Sequence, residues 1–112
     1  IIGHFDLVKK FGHREKTDLR PQVRRVARGC ARTGTAVEIN TAGLRKPVAE
    51  IYPADGIIDI LYDENVPLTL GSDSHDPGEV WYEFPLAVEK IKKAGYRKIS
   101  GFEKMRRYDI PL

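Results

Sequence analysis

The feature that most constrains this chain is its alternation of short apolar runs with segments of helical period. Ala36-Val37-Glu38-Ile39-Asn40 and Pro67-Leu68-Thr69-Leu70-Gly71 have strand length and end in turn residues. Before the first run, Leu19, Val23, Val26, Ala27 and Cys30 recur at helical spacing and predict a helix with one buried face. Asp18 or Thr17 is suited to cap it, Pro21 falls in its tolerant first turn, and Gly34 stops it. A second helix is expected from Pro53 or Ala54, with Ile57, Ile58 and Leu61 inward and Asn65 at its end. Pro77 suits a short helical turn, and Phe84, Val88 and Ile91 mark a third helix ended by Gly95. A strand end over Ile1 to Asp6 and a short strand over Arg97 to Ser100 complete the pattern, while the tail after Phe102 carries no clear signal. Strands alternating with helices imply an α/β fold with parallel strands.

Composition narrows the function classes. The 112 residues suit one small domain. With 41% apolar and 31% charged residues the chain reads as globular and not disordered. No apolar run approaches the roughly 20 residues of a membrane helix, so no membrane partner is expected. Cys30 is the single cysteine, which excludes an internal disulfide and makes a reducing cytoplasm the simplest compartment. Its place on the apolar helix face reads as inert burial. The net charge is +3, and Arg20, Arg24, Arg25, Arg28 and Arg32 crowd one segment. No aromatic residues interleave with them to stack bases, so they read as a solvated helix face, and nucleic acid is an unlikely partner. The chain starts at Ile1 without an initiator Met, which leads to the expectation of a portion of a larger protein.

The chemistry-bearing residues fall at one kind of place. His4, Asn40, Asp73 and His75 lie at or just beyond the carboxyl ends of strands, where parallel α/β folds bind ligands. In Gly71-Ser72-Asp73-Ser74-His75 a carboxylate and an imidazole two residues apart can face one cavity. Their hard oxygen and borderline nitrogen suit Zn, Mn or Fe. The plain alternative is an Asx-turn with an exposed His75. His4 can serve as a ligand with Asp6 orienting it, or as a satisfied structural histidine. Arg45, in a rim loop, offers a planar fork for phosphate, and Asn40 can bind phosphate or order water. Glu38 faces opposite to Val37 and Ile39, so it is either an interior acid with a role or half of a rim salt bridge. Tyr52, Trp81, Tyr82 and Phe84 read as packing groups, His13 as an exposed loop residue, and Lys46 as a surface charge.

Taken in order, Gly3-His4-Phe5-Asp6-Leu7-Val8-Lys9-Lys10, the stretch Glu38 to Pro47, Tyr52-Pro53 and Leu70-Gly71-Ser72-Asp73-Ser74-His75 resemble successive motifs of one family. It is the histidinol-phosphatase branch of the PHP (polymerase and histidinol phosphatase) proteins, and the resemblance runs through nearly the whole chain. The resemblance implies that residues 1–112 are the C-terminal portion of a single PHP domain. The domain would be a distorted (β/α)7 TIM-like barrel with parallel strands, incomplete here, its N-terminal half and its His-x-His motif absent. The implied activity is metal-dependent hydrolysis of L-histidinol phosphate to L-histidinol and phosphate, in histidine biosynthesis. The implied cofactor is a cluster of divalent metal ions, Zn, Mn or Fe, of up to three ions. By this likeness His4, Asp73 and His75 are metal ligands, Arg45 binds the phosphate of a small phosphorylated substrate, and Asp6 and Asn40 support them. Arg45, Asp73 and His75 would be the catalytic groups. Part of a barrel exposes strand edges and apolar surface. The chain alone is therefore expected to be inactive and to pair with a copy of itself or with the missing half. A phosphoesterase of other specificity, and a non-catalytic nucleic-acid-binding or assembly module, are the alternatives.

Overall fold

Strand β1, Val37–Asn40, pairs in parallel with β2, Leu68–Gly71, in the register Val37 opposite Leu68 and Asn40 opposite Gly71. This is the computed structural model of the chain, and it describes residues 1–112. Parallel strands need a long crossover. Here it is made by a 3-10 turn, Thr41–Arg45, and helix α2, Asp55–Asp63. Ahead of β1 lie a 3-10 turn, Leu7–Phe11, and helix α1, Arg20–Thr33. After β2 come a short turn, Pro77–Glu79, helix α3, Phe84–Lys93, and strands β3, Lys98–Glu103, and β4, Arg106–Pro111.

β1 and β2 form one two-stranded sheet, and β3 and β4 form another beside it. Ile2 joins the free edge of β1 through a parallel bridge, its N–H donating to the Ala36 carbonyl at 2.8 Å and its carbonyl accepting from Glu38 N–H at 2.9 Å. Beyond β2, the Thr69 hydroxyl donates to the Ser100 carbonyl of β3 at 3.0 Å. Helix stops follow the expected chemistry. Gly34 takes the left-handed conformation at φ 68°, and its N–H returns to the Ala31 carbonyl. Between sheet and helices, Ala27, Val37, Ile39, Ile58, Leu61, Val66, Leu68, Ala87 and Ile91 are buried. Each large aliphatic side chain among them contributes about 1.5–3 kcal/mol.

Several expectations are corrected. Leu19 and Val26, assigned to the buried face of α1, are 45% and 43% exposed, and only Ala27 and Cys30 on this helix are fully covered. Ile60, not assigned inward on α2, is buried. Asp18 does not cap α1. It binds the backbone and guanidinium of Arg20 just ahead of the helix, whose cap position is Leu19. The strand expected over the first residues is a single bridge at Ile2. The C-terminal strands are antiparallel, from Lys98 opposite Pro111 to Glu103 opposite Arg106, so the all-parallel expectation fails there. The tail after Phe102 pairs because it turns back at Lys104 and Met105, both with positive φ. Trp81, assigned to packing, is 71% exposed and touches Phe84 at 5.5 Å between ring centroids.

Candidate active-site rim

Because Asn40 stands opposite Gly71, the chain leaving β1 and the chain leaving β2 emerge at the same edge. The segment after Ile2 reaches it too. His4 and Asp73 turn there in the left-handed region, at φ 51° and 46°. Such conformations are costly for residues other than glycine, and they concentrate at functional sites. They bring His4 Nε2 to 3.3 Å from Asp73 Oδ2. The hydrogen bond from His4 holds the Asp73 carboxyl below its usual range, and the charges of His4, His75 and Lys46 add to it. His75 stands further out, with Nε2 4.0 Å from Asp73 Oδ1 and its side chain 81% exposed.

Arg45 ends the turn after β1 and reaches across to the loop after β2. Its Nη2 donates to the carbonyls of Ser72 at 2.9 Å and Asp73 at 3.3 Å, and to Glu79 Oε2 at 3.1 Å. The guanidinium lies 5.0 Å from the Tyr82 ring centroid. The same Glu79 carboxylate oxygen accepts from His75 N–H at 3.0 Å. Arg45 Nη1 is buried without a hydrogen-bond partner, as are Asp6 Oδ1, Thr41 Oγ1 and the Tyr52 hydroxyl. Shielded polar atoms of this kind normally have partners.

Two supporting assignments change. Asp6 does not orient His4. Its Oδ2 accepts from Ala54 N–H at 2.9 Å and pairs with Lys9 Nζ at 3.0 Å. Asn40 is fully buried, so it reaches no substrate. Its Oδ1 accepts from Ala42 N–H and its Nδ2 donates to Glu38. His4, Asp73, His75 and Arg45 do come together.

Glu38, Lys9 and Glu79 were not singled out as site residues. For Glu38 the signal was present in its alternation with Val37 and Ile39. For Lys9 and Glu79 no local pattern foretells the contact, since their partners Ile51 and Arg45 are remote in the chain. The arginine segment behaves as a paired surface, with Arg24 and Arg28 both bound to Glu64 at the end of α2. A cleft of about 520 Å3 along these arginines includes none of the rim residues.

The donor set can be tested against a divalent cation. Neighbouring ligands on one ion, with bonds of about 2.1 Å, stand about 3 Å apart. The His4 nitrogen and Asp73 oxygen meet that spacing at 3.3 Å. No group of three or more His, Cys, Asp or Glu side chains is arranged to hold an ion.

An imidazole, a carboxylate and a guanidinium thus gather at the edge where the chain leaves the parallel strands β1 and β2, the kind of place where α/β folds bind ligands. No family model matches the chain. Among curated proteins it is 42% identical over 99 residues to a protein of Deinococcus radiodurans named probable histidinol-phosphatase, covering 88% of this chain and 37% of the relative. A Schizosaccharomyces pombe protein of the same name is 28% identical, covering 93% of this chain and 36% of the relative. A Bacillus subtilis histidinol-phosphatase is 31% identical, covering 80% and 35%. By sequence, the chain is similar to histidinol-phosphatases over the segment it covers. It spans little more than a third of the length of these relatives.

Proposed function

We propose that the whole protein to which this segment corresponds is a metal-dependent phosphomonoesterase that hydrolyses L-histidinol phosphate to L-histidinol and phosphate. The observation that carries the reading is the meeting of His4 Nε2 and Asp73 Oδ2 at 3.3 Å, from segments far apart in a chain related to histidinol-phosphatases. His4 and Asp73 would hold a divalent cation, Zn, Mn or Fe, with His75 swinging in from its exposed position. When bound, such an ion supplies Lewis-acid polarisation of phosphoryl oxygens and acidifies water. Arg45 binds the phosphoryl group. Its Nη1 is shielded and lacks an acceptor, and a phosphate oxygen would supply one once the covering loop moves aside. Glu79, already on Nη2, keeps the guanidinium turned toward the rim until substrate competes for it.

The fold reading extends in the same direction. The chain-order succession of Ile2, β1, β2 and β3 favours one sector of a distorted (β/α)7 barrel of PHP type over a doubly wound sheet. The remaining strands and metal ligands would come from the part of the relatives that this chain does not span, or a second copy would cover the open edges. No helix is long and apolar enough to cross a membrane, and a cytoplasmic location suits the single buried thiol.

The test is phosphate release from histidinol phosphate with added Mn or Zn. The segment alone should be inactive. Joined to the remaining sequence of a relative it should turn over, and R45A should abolish saturation. Activity retained in full after chelation refutes the mechanism, and preference for another monoester in a substrate panel replaces the substrate.

A further inference from the structure

Resting on that reading, we propose that Glu38 is the positioning residue of this rim: its carboxylate sets where the His4 imidazole stands relative to Asp73. The side chain is 19% exposed, and its neighbours are arranged around it. Oε2 accepts from His4 N–H at 3.2 Å and from Asn40 Nδ2 at 3.0 Å, and lies 3.8 Å from His4 Nδ1. The Asn40 amide cannot turn freely, because its Oδ1 accepts from Ala42 N–H at 2.9 Å. A fixed donor therefore fixes the carboxylate, and the carboxylate fixes the backbone of a histidine held at positive φ.

The flanking glycines make the same point. A Cβ on Gly3 would stand 3.2 Å from Oε2, and a Cβ on Gly71 would collide with Oε1. Both segments that meet at the rim thus lack a side chain where the Glu38 carboxylate lies. No Arg or Lys pairs with it, which removes the ordinary rim salt bridge as its explanation. Glu38 touches neither of the proposed ligands' coordinating atoms, Nε2 of His4 and the Asp73 oxygens. It acts through the loop that carries one of them, as outer groups of metal sites do.

The test compares E38Q, E38A, G71A and E38A/G71A in the chain, by 15N resonances of the His4 amide and ring without metal, and by Mn2+ affinity in calorimetry. E38A should shift the His4 amide and weaken Mn2+ binding about tenfold. E38Q keeps an acceptor for the His4 amide and should fall between it and the parent, which carries the test if E38A does not fold. G71A moves the same carboxylate and should reproduce E38A, and the double variant should be no weaker than E38A alone. Unchanged His4 resonances in E38A and E38Q, or additive losses in the double variant, overturn the proposal. If the parent binds no Mn2+ but the His4 resonances move in E38A and G71A alike, the positioning role stands and the metal reading falls.

Discussion

Removal of Lys9 should be strongly felt, and its contacts set the scale. Its side chain is 5% exposed, and Nζ donates to the Ile51 carbonyl at 2.8 Å while pairing with Asp6 at 3.0 Å and Glu50 at 3.2 Å. The Tyr52 ring lies 5.5 Å below it. K9M keeps much of the volume and removes every one of these bonds. The buried Ile51 carbonyl is then unpaired, at about 1–3 kcal/mol. Asp6, 14% exposed, keeps a charge with one remaining donor, Ala54 N–H, which adds about 2 kcal/mol. Glu50 is 41% exposed and contributes under about 1 kcal/mol. The expected loss is about 3–6 kcal/mol, against a stability of about 6–17 kcal/mol for a chain of this length. The control is K9M/D6N, in which the stranded charge is gone. It should recover about 2 kcal/mol, since asparagine still accepts from Ala54. Urea unfolding followed by circular dichroism measures both. A K9M loss under about 1 kcal/mol, or a double variant no more stable than K9M, would refute the account of Lys9 as the tie between the His4 segment and the Ile51–Tyr52 segment.

Acid should loosen the same corner. The Arg14 hydrogen bond, with Lys9 adding, holds the Glu50 carboxyl down at about 2 against an ordinary 4.5. A depressed carboxyl stabilises the fold above about pH 4.5, and that contribution is lost as pH falls toward 2. Because Glu50 is largely exposed the loss should be about 1 kcal/mol or less, and E50Q should remove this part of the pH dependence of the urea midpoint. R45K replaces a fork by a point charge and should weaken inorganic phosphate binding about tenfold in calorimetry, and equal affinity would deny Arg45 its role. Leu61 is fully buried, so L61A should cost about 2–5 kcal/mol in the same unfolding assay. G43A places a methyl into the Glu50 carbonyl and against the Tyr52 ring, and should lower the melting temperature by several degrees.

The sequence by itself determined the order of the three helices and of β1, β2 and β3, the helix stops at Gly34 and Gly95, and the placing of Asp73, His75 and Arg45 after strand ends. These depend on local period and backbone permissiveness, which a run of residues carries within itself. The rest depended on contacts between remote segments. Leu19 and Val26 have the helical period of core residues and remain exposed, because a period marks a face and cannot say how wide a neighbour covers it. Asp6 was assigned to His4, two residues away, and binds Ala54 and Lys9 instead. Glu38 showed only that it faced opposite to Val37 and Ile39, as an interior acid or half of a rim salt bridge, and its partners became known when the Gly3 and Gly71 segments closed around it. In β4, Tyr108 and Ile110 alternate with charged residues as a strand does, but no strong turn motif names the partner, so the antiparallel return was not legible. Local chemistry chose the elements. Their mutual distances, set by packing across the sheet, chose which polar groups meet.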